Sequence, residues 1–314
     1  MLVEGNLVSF CGLNFFHFQS RKSFLLAGFY ALNWVVPSSL VFLNRRFIPS
    51  DKAGFSVFDR GLLYGDGLFE TVRVYGGKFF RLHAHLKRMF TGLKFLGIKL
   101  PYTLDEMEIF TRELAVANRI NEGFARVVVS RGEGILGFSP HGSGPPHVAI
   151  YARERPVAAR SKEAWRLMFS KRPISPLPFK SLSSLPNVLA KKEAEAAGFD
   201  EALLLDAEGT VIEATGSNVF LLNDGELVTP PLSTGCLPGI TRAEVIKVTR
   251  KKGFRVREKK FGARECRQAD GIFLTNSLLE IIPSYLGRSM NSEVLSELDE
   301  LEAAFAYHRI TESR

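Results

Sequence analysis

The chain has 314 residues, 46% of them hydrophobic and 24% charged, a length and balance that predict a globular protein with a substantial core and exclude disordered, fibrous and collagen-like classes. Its 41 Lys and Arg exceed its 33 Asp and Glu to give a formal charge of +8. The cations are scattered in short pairs such as Lys191-Lys192 and Lys259-Lys260 without interleaved aromatics, so they read as a solvated surface and not as a nucleic-acid face.

The cysteines (Cys11, Cys236, Cys266) are few and widely spaced, which argues against a disulfide framework and for a reducing, cytoplasmic setting. The six histidines lack metal-ligand spacing; His83 and His85 have no carboxylate or cysteine cluster beside them, so no metal is expected. Along the chain, residues 1–40 come first, and they contain "RKSFLLAGFYALNWVV", two cations before an apolar run, as at the start of a signal peptide or anchor. Asn33 and Pro37 interrupt that run, which is too short for the roughly 20 apolar residues of a bilayer span. Residues 1–40 are therefore expected to be an appended or mis-assigned extension, and no membrane partner is expected.

Regular signals begin at residue 41. "VFLNRRFI" reads as an opening strand or hairpin, and "LFETVRVYGGKFF" as a hairpin turning at Gly76-Gly77. "LHAHLKRMFTGLKFLG" has helical apolar spacing and stops at Gly97, while Thr103 and Glu106 form a capping box that opens "TLDEMEIFTRELAVANRI". "ARVVVSRG" and "HVAIYAR" read as buried strands, and the Pro- and charge-rich stretch 153–164 as a domain boundary. Beyond it the pattern predicts a helix after Lys180, strands at 201–206, 211–213 and 218–222, a helix from Thr241 to about Lys252, strands near 254–259 and 271–275, and a C-terminal helix from about 296. "DRGLLYGDGLFE" (59–70) is glycine-rich without a phosphate-loop lysine and predicts a tight, close-packed turn. Strands and helices mix without strict alternation, and no GxGxxG follows the first strand, so a dinucleotide-binding domain is excluded and a mixed α/β (α+β) fold in two domains, 41–155 and 156–314, is expected.

Taken singly, Lys180 is a surface lysine with its stem on apolar neighbours, Glu213 a strand-end carboxylate, and "LPGITR" (237–242) a loop that starts a helix. Together they meet the needs of one cofactor, pyridoxal 5′-phosphate, which requires an amine for its aldehyde, a carboxylate for its ring nitrogen and a cradle for its phosphate. Lys180 can supply an amine whose pKa is lowered by apolar surroundings, and Glu213 can hold the ring nitrogen protonated. The helix start at Gly239–Thr241 offers free N–H groups to the phosphate, and Arg88 a guanidinium.

The stretches "DRGLLYGDGLFETVRVYGGKFF", "HLKR", "KSLSSLPNVLAKKEAEAAGFDEALLLDAEGTVIEATGSNVF", "LVTPPLSTGCLPGITR" and "FLTNSLLEIIP" occur in the order found in the class IV aminotransferases, the pyridoxal-phosphate enzymes of fold type IV, and the chain resembles that family over most of residues 41–285. The resemblance implies two mixed α/β domains with the cofactor between them, usually as a homodimer. It implies Lys180 as the Schiff-base lysine, Glu213 on the ring nitrogen, Arg88, Ile240, Thr241 and Ser277 around the phosphate, and Asn276 among the cofactor-binding residues. Phe69, Leu136 and Phe138 are expected to line the pocket of a small-molecule amine substrate.

Three branches of the family fit to different degrees. The branched-chain aminotransferases usually carry a tyrosine where this chain has Leu185, although "RGEGILGFSP" resembles their loop. The D-amino acid aminotransferases carry an arginine-x-histidine carboxylate trap where this chain reads Gly134-Ile135-Leu136-Gly137-Phe138. The lack of a clamp for an α-carboxylate, together with "TNSLLEIIP", favours the third branch, 4-amino-4-deoxychorismate lyase, whose substrate bears no carboxylate on its amine-bearing carbon. The expected activity is therefore cleavage of 4-amino-4-deoxychorismate to 4-aminobenzoate and pyruvate, with branched-chain or D-amino acid transamination as the alternative and a non-catalytic cofactor-binding paralogue behind both.

Overall fold

The computed structural model describes residues 39–156 and 163–312. Cys11 and nearly all of the expected extension lie outside the described residues. Ser39 and Leu40 already belong to the fold: the Ser39 carbonyl accepts from the Ser50 N–H at 2.8 Å, and Leu40 begins the first strand.

The N-terminal half builds a six-stranded sheet in the order β2-β1-β6-β5-β3-β4. Its strands are β1 (Leu40–Leu43), β2 (Arg46–Pro49), β3 (Gly67–Tyr75), β4 (Lys78–Phe79), β5 (Gly123–Ser130) and β6 (His147–Glu154). The Gly76-Gly77 pair, both at positive φ, makes the tight turn from β3 to β4. Helices α2 (Leu82–Leu96) and α3 (Leu104–Ala117) cover this sheet. The first ends where Gly97 adopts the left-handed conformation at φ 68°, and the second begins with a Thr103–Glu106 capping box. Alternation along β5 puts Ala125, Val127 and Val129 in the core with Leu86, Met107 and Leu114, and turns Phe124, Arg126 and Val128 to the other face.

The C-terminal half builds an eight-stranded sheet in the order β12-β11-β10-β13-β14-β7-β8-β9. Its strands are β7 (Trp165–Phe169), β8 (Glu201–Leu205), β9 (Val211–Ala214), β10 (Asn218–Asn223), β11 (Glu226–Thr229), β12 (Arg255–Glu258), β13 (Gly271–Asn276) and β14 (Glu280–Tyr285). Helices α4 (Leu185–Ala196), α5 (Ile240–Lys251), α6 (Ala263–Gln268) and α7 (Ser292–Glu312) complete it. Phe220 and Phe273 stack at 4.8 Å on the β10–β13 pair, beneath Val245 of α5 and Phe305 of α7.

Strands β7 and β14 and helix α6 are not among the expected elements, and two further stretches differ from the sequence expectation. Residues 60–64 form a short helix, α1 (Arg60–Tyr64), where a turn is predicted. The Asp59 carboxylate accepts from the N–H groups of Gly61 and Leu62 and caps it. The C-terminal helix starts at Ser292, one turn earlier than predicted, where Asn291 accepts from the Val294 N–H. Among the described residues, no helix is long and apolar enough to cross a membrane.

Candidate active site

A cavity of about 740 Å³ takes lining residues from both sheets, among them Phe69, Arg88, Lys180, Glu213, Ile240, Thr241, Asn276 and Ser277. The segment carrying Lys180 is tied to β3: the Lys180 carbonyl accepts from the Phe69 N–H at 2.9 Å, and Leu182 N–H donates to the Gly67 carbonyl at 3.0 Å. Backbone pairing on both sides of Lys180 thus fixes the direction of its side chain, and its Nζ lies 4.8 Å from the centre of the Phe69 ring. Desolvation holds the amine below the usual lysine range, and the charges of Arg88 and Arg126 push the same way against the opposing pull of Glu70 and Glu213.

Glu213 projects from β9. Its Oε2 accepts from the Leu237 N–H at 3.0 Å and from Asn218 Nδ2 at 3.3 Å, while its Oε1 has no hydrogen-bond partner among the described residues. With little positive charge in direct contact, desolvation wins and the carboxyl is pushed up to about 7. Such a group is poised to gain a cationic partner on its open oxygen.

The opposite end of the cavity is built for an anion. Helix α5 begins after Gly239 with no side-chain cap, so the Ile240 and Thr241 N–H groups and the positive end of the helix dipole face the cavity. A side chain at position 239 would collide with Asn218 Oδ1, so only glycine permits this approach. Arg88 on α2 reaches the same end but is anchored from behind. Its Nε and one terminal nitrogen donate to the two oxygens of Glu70 at 2.7 Å, and the other terminal nitrogen donates to the Pro238 carbonyl at 2.8 Å. Glu70 is 1% exposed. Burial alone would raise its pKa, but the Arg88 charge and the His85 and Arg88 hydrogen bonds overcome it and hold the carboxyl down at about 2. Asn276 shapes the β13–β14 turn: its Oδ1 accepts from the N–H groups of Leu278 and Leu279, and its Nδ2 donates to Ser217. Ser277 sits in that turn, facing the cavity on one side and His85 on the other.

Two residues absent from the sequence reading also line the cavity. Arg126, on the outward face of β5, donates to Thr71 Oγ1 at 3.1 Å and lies 4.7 Å from the centre of the Phe69 ring that Lys180 also meets. Arg155 follows β6 at the cavity edge, and desolvation and the nearby Arg73 hold its pKa low. Among the described residues neither guanidinium has a carboxylate partner, and Glu213 is the only acidic residue in the lining. The periodicity of β5 could have exposed Arg126, since a cation alternating with Ala125 and Val127 must face the opposite side.

Leu136 and Phe138 are not brought to this cavity. They are 91% and 88% exposed on a loop that is pinned elsewhere. Buried Arg60 donates to the carbonyls of Gly137 and Phe138, and the Tyr64 hydroxyl accepts from the Gly137 N–H, so the loop is held by α1.

An amine held below its usual pKa, a carboxylate with one open oxygen and an uncapped helix start beside a guanidinium all face one cavity, so the residues fit a phosphorylated pyridine aldehyde. Residues 67–284 match the family model described as amino-transferase class IV. The chain belongs to that family.

A Methanocaldococcus jannaschii protein, provisionally named a branched-chain-amino-acid aminotransferase, is 38% identical over 264 residues, covering 82% of this chain and 92% of that one. A Listeria monocytogenes D-alanine aminotransferase is 30% identical, covering 77% and 86%. Among solved structures, the branched-chain aminotransferase of Thermoproteus uzoniensis with norvaline superposes with a TM-score of 0.80 at 30% identity, covering 88% of this chain and 95% of that one. A Legionella pneumophila protein provisionally described as a 4-amino-4-deoxychorismate lyase gives 0.73 at 27% identity, covering 82% and 97%. These relatives overturn the lyase expectation in favour of amino transfer. The expectation rested on the lack of a cation in the 134–138 loop, whereas Arg126, which meets the same Phe69 ring as Lys180, comes from a strand.

Proposed function

We propose that the protein transfers the amino group of an α-amino acid with a branched apolar side chain to a 2-oxo acid, using pyridoxal 5′-phosphate. The observation that carries this reading is Arg126, a guanidinium free of any acidic partner among the described residues and set against the same aromatic ring as Lys180. An amino acid offers an amine and a carboxylate a short distance apart, and this pair of groups is complementary to it.

The bound cofactor supplies a sink for the electron pair left when a C–H bond beside the amine is broken. Lys180 would hold the cofactor's aldehyde carbon, and its free amine would be the base that takes up that proton and returns it. Its lowered pKa keeps a share of the amine neutral for this work. Glu213 would hold the ring nitrogen protonated. Ile240, Thr241, Arg88 and Ser277 would bind the phosphate. Phe69 packs against Lys180 and Arg126 and keeps water from the reacting carbon.

The reading includes two domains meeting at the cavity and a homodimer in the cytoplasm. Val57, Phe58, Leu62, Ile135, Leu136 and Phe138 are exposed apolar side chains that a second copy would cover, and buried Cys236 and Cys266 are free thiols. A second reading, D-alanine transamination, is favoured by Leu185 standing where branched-chain enzymes usually place a tyrosine.

The test is an assay of the purified protein with L-leucine, L-valine or D-alanine and 2-oxoglutarate. The leading reading expects glutamate formation with the first two. D-Alanine as the sole donor selects the second reading, and failure of all three rejects both.

A further inference from the structure

His85 is fully enclosed behind the phosphate end of the cavity, and the reaction assigned above gives it no role. Its Nδ1 lies 2.8 Å from Glu70 Oε2 and its Nε2 lies 3.5 Å from Ser277 Oγ. Glu70 is ionised and can only accept, so the Nδ1 carries a proton. A neutral ring must then present a bare Nε2 to Ser277. The hydroxyl satisfies it by donating away from the cavity, which turns its lone pairs toward any incoming anion.

We propose that His85 is a positioning residue of the phosphate cradle, taking up one proton from solvent when a phosphate dianion enters and thereby turning the Ser277 hydroxyl to donate into the cavity. The proposal rests on the cofactor reading given above. In the loaded arrangement Glu70 accepts from Nδ1–H, Nε2–H donates to Ser277 Oγ, and Ser277 donates to the phosphate. Every member of the chain is then satisfied. Without the added proton, Nε2 and Oγ would face each other with lone pairs in a buried setting, an arrangement that leaves a polar group unpaired.

The charges around the ring support a two-state imidazole. Glu70 faces it from β3, Arg88 lies one turn further along its own helix, Lys180 stands across the cavity, and Ser277 comes from the β13–β14 turn. Desolvation, together with the charges of Arg88 and Lys180, lowers the ring's affinity for a proton before loading and outweighs Glu70. A dianion reverses that balance.

The experiment is nitrogen NMR on histidine-labelled protein near pH 7.5, where added phosphate is already largely dianionic. The His85 signals are assigned by their loss in His85→Asn, which offers an amide donor to Glu70 and has no imidazole to protonate. Spectra are compared for the cofactor-free protein, the protein with inorganic phosphate and the protein loaded with pyridoxal phosphate. The expected result is a bare Nε2 in the first and protons on both nitrogens in the other two. Calorimetry in buffers of different ionisation heat should show up to about one proton more taken up with phosphate by the wild type than by His85→Asn. A bare Nε2 with phosphate bound, or a doubly protonated ring before loading, overturns the proposal and leaves the cofactor reading standing. Binding of neither ligand would reject the cofactor reading and this proposal with it. If His85→Asn does not fold, the assignment is made with His85→Gln instead.

Discussion

Glu213 lines the cavity and Glu70 lies behind it on Arg88, and burial pushes both carboxyls in the same direction. They nevertheless part from a common ordinary value of 4.5, one to about 2 and the other to about 7. Glu70 meets a two-pronged guanidinium and an imidazole, so its charge is compensated inside the protein. Glu213 meets one backbone N–H and one amide, and its second oxygen waits. The fold completes electrostatics where it needs a rigid anchor and leaves them incomplete where a ligand's own charge is to be recognised.

The largest break comes at the amine on which both carboxylates act. Lys180→Ala removes the covalent attachment and the proton-transfer base together, and turnover should fall by on the order of 10⁴-fold or more. The checks are loss of the Schiff-base absorbance band and steady-state rates. Retained turnover would remove Lys180 from the chemistry.

Breaking the compensated side comes next. Glu70→Ala strands the Arg88 guanidinium in a buried position, and loss of one partner of a buried pair typically costs about 3–5 kcal/mol. Thermal or urea unfolding of the cofactor-free protein should register this. A variant as stable as the wild type would show that Glu70 is not the anchor described here.

The asymmetry also governs what the sequence disclosed. The Gly76-Gly77 hairpin and the Thr103–Glu106 capping box were legible because they depend on neighbours in the chain. Lys180, Glu213, Arg88 and Thr241 stood out as a set whose residue types suit one cofactor. Glu70 did not, because its value depends on a strand and a helix meeting side by side. Arg126 was hidden by the open question of which face of β5 would meet the cavity. The short helix α1 was masked by Gly61 and Gly65, and Asp59 capping it is a local bond that only the backbone path reveals. Strand β14 was obscured by Pro283; the β7 pairing begins at Ser284, which leaves the missing N–H outside that ladder. The loop at 134–138 was expected at the substrate because of its place in the chain, and Arg60 draws it away.

A third change probes the substrate end. Arg126→Met keeps an unbranched apolar stem and removes the charge. Charge-assisted hydrogen bonds contribute about 1.5–3 kcal/mol, so kcat/KM for the preferred amino acid should fall roughly 10- to 100-fold. The same variant should show no comparable loss with a primary amine that lacks a carboxylate. Equal losses for both would reassign Arg126 to support of the Phe69 ring.

The smallest effect tests the comparison itself, through the pH dependence of cofactor-free stability. Between 4.5 and about 7 the folded chain holds a proton on Glu213 that the unfolded chain has released. This contribution to stability therefore falls as pH rises through that window, by roughly 2 kcal/mol between pH 5 and 7, and levels off above it. Glu70 acts in the opposite sense at lower pH. Its contribution is complete above 4.5 and is lost as pH falls toward about 2. Glu213→Gln should flatten the wild-type decline between pH 5 and 7 and leave the acid limb in place, whereas Glu70→Gln should remove part of the acid limb alone. If both variants kept the wild-type profile, the two carboxylates would not differ in the way their partners dictate, and the contrast between a completed and a waiting charge would fail.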